Sequence, residues 1–359
     1  MKLAFSWETV PVYIHFGKAS APLTEDELRF VASISDFVCF EKGHGKDAFG
    51  STEKGIAYDA ERLKALNPEM KVLFYWNTFL NYELYDACGE FAQHPEWVFR
   101  DGNGNPIYKV RTLEQYNLLN PEFRNWWASI AGRAIHEYGC DGIFMDAVNQ
   151  AKRPLWMEKG WGEGKEHLLT DAVIDMMQQA RREMGDDAIL LYNGLRSSDR
   201  EKIVTGQEYL PYADGATIEH FAAFQSQSKE AVALDIDSMI EAGKDGEMVV
   251  LKGWPDPEFN WINKEKMARS MDLLVDEARE KITFSLACFL IAAQENSYFC
   301  YSWGYRELHG SLADYPEFHK PLGLPQGDAV KDGWIYTRSF AQASVRVDLD
   351  AKTGHIDGW

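Results

Sequence analysis

The chain has 359 residues, of which 45% are hydrophobic and 13% aromatic, and its formal net charge is −19. This length and apolar content suffice for a large core, built either as two domains or as one α/β barrel with insertions. The negative charge disfavours nucleic acid and anionic membranes as partners of the surface as a whole.

The sequence carries no sign of membrane insertion or export. It contains no run of eighteen apolar residues, and Glu8 and Pro11 interrupt the apolar residues near the N-terminus. We therefore expect a cytoplasmic protein, or an exported one whose signal peptide has been removed. The five cysteines form no CxxC pair and four lie in apolar stretches, which predicts buried free thiols without zinc.

Short apolar runs alternate with amphipathic segments, a pattern typical of βαβ units and a parallel sheet. The predicted strands are residues 10–16, 37–41, 71–76, 141–146, 188–193, 214–219, 247–254 and 297–303. The predicted helices are residues 23–34, 58–67, 121–139, 168–185, 232–243 and 271–293. Thr24 is the expected N-cap of the first helix. Eight parallel strands with intervening helices predict an α/β fold, the (β/α)₈ TIM barrel.

Two segments depart from this alternation. Residues 77–120 contain the turn cluster "DGNGNP" and several aromatics, which indicates a long insertion with a hairpin of its own. The tail alternates short apolar residues with turn signals, which predicts a small antiparallel β segment. We therefore expect a barrel over residues 1–325 and a C-terminal β appendage over residues 326–359.

Polar and aromatic side chains stand at the carboxyl ends of most predicted strands, the side of a barrel where active sites are built. The candidate site residues are Glu41, Lys42, His44, Trp76, Asn77, Asp146, Asn193, Glu219, Lys252, Trp254, Tyr301 and Trp303. Aromatic faces stack on sugar rings, amides and charged groups bind hydroxyls, and paired carboxylates cleave glycosidic bonds. The set predicts a carbohydrate-active site.

Two carboxylates are the predicted catalytic pair. Asp146 closes "DGIFMD" and Glu219 closes "DGATIE" two strands later, so the two side chains can face each other across the barrel mouth. The alternative for each is an ion pair with a neighbouring base. Glu41 is the rival acid, but it lies beside Lys42, which favours substrate binding or an ion pair.

Other chemistries remain open at this point. Lys252 is either a scaffold cation or the Schiff-base amine of a lyase or aldolase. A carbohydrate-binding barrel without catalysis is a further alternative. No HxH or HxxxH pattern occurs at the strand ends, so neither a metal nor a cofactor is predicted.

Several segments carry a family resemblance over nearly the whole chain: "LLNPEFRNWWASIAGRAIHEYGCDGIFMDAV", "ILLYNGL", "ATIEHF" and "RSFAQASVRVDLDAKTGHI". They resemble TIM-barrel glycoside hydrolases, in particular hypothetical glycosyl hydrolase family 15. In such relatives the strand-four Asp is the nucleophile and a strand-six Asp or Glu is the acid/base. The resemblance thus implies a retaining enzyme for α-linked bonds, with Asp146 as nucleophile and Glu219 as acid/base.

The resemblance has one departure, because α-galactosidase-like barrels carry Asp at strand six where this chain has Glu219. The distance between the two carboxylates, which distinguishes a retaining from an inverting enzyme, therefore has to be read from the structure. The expected partner is an oligosaccharide, cleaved from its end, from an algal or other acidic polysaccharide. Lys109 and Arg111 of the insertion are candidates to contact an anionic sugar, with solvated surface as the simpler alternative.

Overall fold

The protein is described by a computed structural model over residues 3–109, 112–152 and 166–359. One sheet contains eight parallel strands in chain order: β1 (Ile14–Phe16), β2 (Phe37–Phe40), β3 (Lys71–Asn77), β4 (Gly142–Asp146), β5 (Ile189–Asn193), β6 (Gly215–Ile218), β7 (Met248–Gly253) and β8 (Ser297–Tyr301). The first and last strands meet where Tyr13 N–H donates to the Phe299 carbonyl at 2.9 Å and Phe299 N–H donates to Pro11 at 2.7 Å. The predicted barrel is confirmed.

Within the described ranges, six long helices connect the strands: α1 (Glu25–Ile34), α2 (Thr52–Leu66), α3 (Pro121–His136), α4 (Glu166–Met184), α5 (Lys229–Lys244) and α6 (Met271–Ala292). All six were expected, and Thr24 caps α1 in a capping box with Glu27. After β5, the described residues form the short helical turn Gln207–Tyr212 instead of a long helix. Other short helical segments are Lys46–Phe49, Cys88–Phe91, Pro95–Trp97, Val148–Lys152, Lys264–Met267, Glu307–Ser311 and Pro316–His319.

Strand residues alternate between two separate hydrophobic cores. Leu73 and Tyr75 of β3 belong to the cluster that fills the barrel interior. Phe74 and Trp76 of the same strand belong to the larger cluster between the barrel and its helices. This period of two decides which strand-end side chains reach the mouth.

Two Asp-Gly pairs start the strands that lead to the candidate carboxylates. At Gly142 and Gly215, a Cβ atom would lie 2.1 and 2.2 Å from a carbonyl oxygen of the next strand, so only glycine fits. The preceding side chains, Asp141 and Asp214, accept backbone N–H groups of the neighbouring strand at 2.9 and 2.7 Å. These contacts fix the amino ends of β4 and β6.

The segments outside the barrel form a small antiparallel sheet near the C-terminus and a hairpin in the insertion. The antiparallel strands β9 (Val330–Asp332), β10 (Ile335–Ser339), β11 (Ser344–Asp348) and β12 (Thr353–Asp357) pack against α6. The insertion contains a hairpin of Tyr108–Lys109 with Leu113–Glu114. All five cysteines are free thiols, four of them buried. No helix among the described residues is long and apolar enough to cross a membrane.

Candidate active site

The inward-facing positions at the carboxyl ends of three strands bring together an acid, an amide and a second acid. Asp146 ends β4, Asn193 ends β5, and Glu219 directly follows β6. The Asn193 Nδ2 atom lies 2.8 Å from Asp146 Oδ1 and 2.8 Å from Glu219 Oε2. One amide group therefore bridges the two predicted catalytic carboxylates.

Asp146 accepts hydrogen bonds at both of its oxygens. Asn193 donates to Oδ1, while Asn77 Nδ2 donates to Oδ2 at 2.8 Å and the Tyr75 hydroxyl donates to the same oxygen. The Tyr75 oxygen itself accepts from Asn77 at 3.1 Å and from Lys42 Nζ at 3.3 Å, so its own proton points to Asp146. Burial and the nearby charge of Glu219 nevertheless raise the pKa of Asp146.

Glu219 lies among cationic and hydroxyl donors. His220 Nε2 is 3.3 Å and Arg196 Nη2 is 3.9 Å from Glu219 Oε2, and the Tyr305 hydroxyl donates to Oε1. Burial by itself would raise the pKa of Glu219, but His220, Arg196 and Tyr305 together lower it well below its usual value. The Trp254 indole donates to the Glu219 carbonyl at 2.8 Å and thereby fixes the backbone at this position.

Glu41 is engaged in an ionic cluster of its own. Lys42 Nζ and His15 Nε2, the latter at 3.2 Å, both contact its carboxylate. Burial opposes ionisation, but Lys42 and His15 outweigh it and lower the pKa of Glu41. The Lys42 ammonium also lies 4.4 Å from the centre of the Tyr75 ring. Glu41 is thus linked to the catalytic pair through Lys42 and Tyr75, and its charge also contributes to the raised pKa of Asp146.

Lys252 reaches the barrel interior but is already bonded. Its ammonium donates to the Ser302 hydroxyl at 2.5 Å and to the Ser302 carbonyl at 3.2 Å, and it lies 4.1 Å from the centre of a Trp254 ring. Burial lowers the pKa of Lys252. This placement suits a scaffold cation that supports the loop after β8.

Four candidate residues lie away from the polar cluster, and the side chain of each is buried among other residues. His44 is fully buried, pairs with Asp59 at 2.9 Å, and stacks on Phe40. The other three, Trp76, Tyr301 and Trp303, point outward under the helices. The Trp76 indole donates to the Trp127 carbonyl, the Tyr301 hydroxyl donates to the Ala278 carbonyl, and the Trp303 ring packs on Phe259. The structure therefore corrects the expectation that these four side chains contact substrate.

The structure adds Tyr75 and Tyr305, which the sequence pattern did not single out, and it brings in Arg196, which the pattern offered beside Asn193 at the end of the fifth predicted strand. Tyr75 stands two residues before Asn77 and so faces the interior with it. Arg196 comes from the short hairpin after β5, and Tyr305 comes from the loop after β8. Strand parity could have found Tyr75, whereas no periodic signal places the two loop residues.

A cavity of about 770 Å³ lies next to the site, and its lining includes Glu41 but neither Asp146 nor Glu219. Glu41 and Lys42 form one part of its lining, Tyr82 and Leu84 of the insertion a second part, and Tyr305 connects it to Glu219. Its size is that of a ligand site, and its aromatic and polar lining suits a sugar. No group of three or more potential metal ligands occurs among the described residues.

The family model of hypothetical glycosyl hydrolase family 15 matches residues 64–344, a range that includes both carboxylates and Asn193. The chain belongs to this family. It is a glycoside hydrolase on a TIM barrel, and its substrate is an oligosaccharide or polysaccharide.

Solved structures share the fold of this family member at low sequence identity. A noncanonic maltogenic α-amylase, AmyB from Thermotoga neapolitana, is 14% identical with a TM-score of 0.53, over 94% of this chain and 84% of that one. The glycoside hydrolase domain of PelA from Pseudomonas aeruginosa is 13% identical with a TM-score of 0.51, over 84% and 95%. The α-galactosidase of Thermus thermophilus is 18% identical with a TM-score of 0.50, over 98% and 68%. No curated protein sequence matches the chain.

Proposed function

We propose that the protein cleaves glycosidic bonds with retention of configuration, using Asp146 and Glu219. The observation that carries this proposal is the bridge of Asn193, whose Nδ2 atom lies 2.8 Å from an oxygen of each carboxylate. Those two oxygens are therefore no more than twice 2.8 Å apart. Retaining enzymes place their carboxyl groups about 5–5.5 Å apart and inverting enzymes roughly 6.5–9.5 Å.

Asp146 is the proposed nucleophile. Tyr75, Asn77 and Asn193 each donate a hydrogen bond to its carboxylate, an arrangement that stabilises the ionised form. In the first step Asp146 attacks the anomeric carbon, and Glu219 gives its proton to the leaving oxygen. In the second step Glu219 takes a proton from water, which attacks the glycosyl–Asp146 ester and releases the sugar.

The opposite division of roles has one observation in its favour. Glu219 has a lowered pKa and Asp146 a raised one, and a pair whose pKa values are pushed apart marks its ionised member as the nucleophile. We assign the nucleophile to Asp146 from the family resemblance, because hydrogen-bond donors face both oxygens of each carboxylate and so do not separate the two roles. Glu219 must then gain its proton when substrate binds.

The finer proposal is end-on cleavage of α-linked oligosaccharides. The α configuration follows from the family resemblance, and end-on cleavage from the wall that Tyr82 and Leu84 of the insertion add to the cavity. An algal or other acidic polysaccharide remains the proposed source. Lys109 donates to Gln150 at 2.7 Å, and Arg111 lies outside the described residues, so neither supports that source.

A panel of α- and β-linked aryl glycosides and natural oligosaccharides, including algal galactans, tests the proposal. We expect cleavage by the wild type, and losses of at least about a thousand-fold in both Asp146→Asn and Glu219→Gln. Glu241→Gln, an exposed carboxylate on α5, is the matched control and should keep full activity. Inverted configuration in the first product, read by NMR, would contradict the mechanism.

Chemical rescue with azide shows which carboxylate is the nucleophile and which is the acid/base. Removal of the nucleophile lets azide attack the substrate directly and gives a glycosyl azide of inverted configuration. Removal of the acid/base lets azide attack the glycosyl-enzyme and gives retained configuration. We expect the inverted azide from Asp146→Gly and the retained azide from Glu219→Gly. The exchanged pattern would establish Glu219 as the nucleophile.

A further inference from the structure

The cavity next to the site gathers basic residues in a strongly acidic protein. The whole chain has 37 Lys and Arg against 56 Asp and Glu. Four basic residues line the cavity: Lys42, Lys46, Lys264 and Arg306. Three acids line it as well: Glu41, Asp47 and Glu307. The cavity therefore reverses the charge balance of the chain.

The positive charge concentrates on one side of the cavity. Lys42 and Glu41 form an ion pair and cancel each other. Lys264 and Arg306 come from the loops after β7 and β8, and within the described ranges neither forms an ion pair within 4.0 Å. Lys46 and Asp47 are sequence neighbours in the loop after β2, so their charges offset each other locally. The remaining lining charges are Lys264, Arg306 and Glu307, which leave one net positive charge on this side of the cavity.

His309 lines the same cavity and supplies a neutral donor there. Its Nδ1 atom accepts the backbone N–H groups of Tyr305 at 3.1 Å and Arg306 at 3.2 Å, so the ring proton is on Nε2. Burial and the charges of Arg306, Lys252 and Lys264 lower the pKa of His309 to about 4. At neutral pH the ring is therefore uncharged, and its Nε2–H group can donate to a ligand in the cavity that His309 lines.

We propose that Lys264, Arg306 and His309 form a subsite for an anionic substituent on a sugar, either a uronate carboxylate or a sulfate ester. Trp261 and Tyr305 line the same cavity with their ring centres 5.2 Å apart, and they offer aromatic faces to the sugar that carries the anion. Because Tyr305 also donates to Glu219, the subsite adjoins the cleavage point. The inference rests on the proposed glycosidase site and specifies its substrate class.

Equilibrium binding to the intact protein tests the subsite without any need for hydrolysis. The probes are galactose, galacturonic acid and galactose 6-sulfate, which differ only at C6, and the corresponding glucose series. Calorimetry at low and high salt gives the dissociation constants. We expect at least one of the anionic sugars to bind about tenfold or more tightly than its neutral parent, with the preference reduced by salt. The better of the two anions separates a carboxylate from a sulfate.

Substitutions then locate the preference. Arg306→Gln and Lys264→Gln should each weaken binding of the anion about tenfold and leave the neutral sugar unchanged, because the Arg306 substitution keeps the backbone N–H that bonds His309. Arg346→Gln on β11 removes a cation far from the cavity and should change nothing. Equal affinity for neutral and anionic sugars, no binding of either anion, or an anion preference that survives both substitutions would overturn the subsite. Loss of hydrolysis without loss of this preference would count against the proposed function alone.

Discussion

The hydroxyl of Tyr75 offers a direct test of which carboxylate is the nucleophile. Tyr75→Phe removes one hydrogen bond to Asp146 and keeps the ring that packs against Phe144 in the barrel interior. Loss of a donor to a carboxylate disfavours its ionised form, so the pKa of Asp146 must rise further. A hydrogen bond to a charged group contributes about 1.5–3 kcal/mol. At about 1.36 kcal/mol per pKa unit, the expected rise is about 1–2 units.

The consequence depends on the role of Asp146. A nucleophile must be ionised, so activity is lost as the pH falls through its pKa. Under our proposal Tyr75→Phe therefore moves the acidic limb of the kcat profile up by about 1–2 pH units, because kcat reports the substrate complex, in which Glu219 has gained its proton. If Asp146 is instead the general acid, the basic limb moves up and the acidic limb stays near its position.

Tyr305→Phe is the matched variant for the other carboxylate, because the Tyr305 hydroxyl donates to Glu219. Under our proposal it moves the basic limb up and leaves the acidic limb nearly unchanged. The assay is kcat from about pH 3 to pH 10 with a saturating concentration of the best aryl glycoside for the wild type and both variants. Since the two groups titrate as a pair, the comparison rests on which limb moves more in each variant. The reverse pattern in both variants would refute the assignment of roles.

Three further outcomes follow from other contacts. Asn193→Ala should lower kcat/KM about ten- to a hundred-fold in steady-state assays with the fold intact by circular dichroism, because it removes a donor shared by two carboxylates; an unchanged rate would contradict the bridge. Burial raises the pKa of Asp235 from 3.8 to about 7, so ionisation of this group disfavours the folded state. Its contribution to the free energy of unfolding should therefore fall by about 3 kcal/mol from about pH 4 to pH 7. Urea unfolding should show that Asp235→Asn removes that part of the pH dependence. Gly142→Ala should destabilise the barrel by at least about 3 kcal/mol in the same assay, whereas Gly102→Ala, with open space around it, should not.

The strands and helices of the barrel could be predicted because each is encoded by a short stretch of sequence. Apolar runs bounded by turns predict the strands, and caps such as Thr24 predict helix starts. The two predicted carboxylates lie together with Asn193 because the carboxyl ends of neighbouring parallel strands meet at one rim. Arg196 had only its nearness to the fifth predicted strand as a signal, and Tyr305 had none, since a loop has no fixed period that orients its side chains.

The misplaced aromatic candidates have a single physical cause, which is the parity of strand residues. Adjacent residues of a strand point to opposite sides, so Trp76 and Asn77 cannot both reach the mouth. Once Asn77 is assigned to the interior by its bond to Asp146, Trp76 must lie under the helices and Tyr75 must lie inside.

The same parity settles β8. Cys300 belongs to the interior cluster, so Ser302 faces inward, where it meets Lys252, and Tyr301 and Trp303 face outward. Once one residue of each strand is known to face inward, parity excludes Trp76, Tyr301 and Trp303 from the mouth. It also places Tyr75, which donates to the proposed nucleophile, in the interior. Composition at strand ends indicates the chemistry of a barrel, but parity determines which of those residues can perform it.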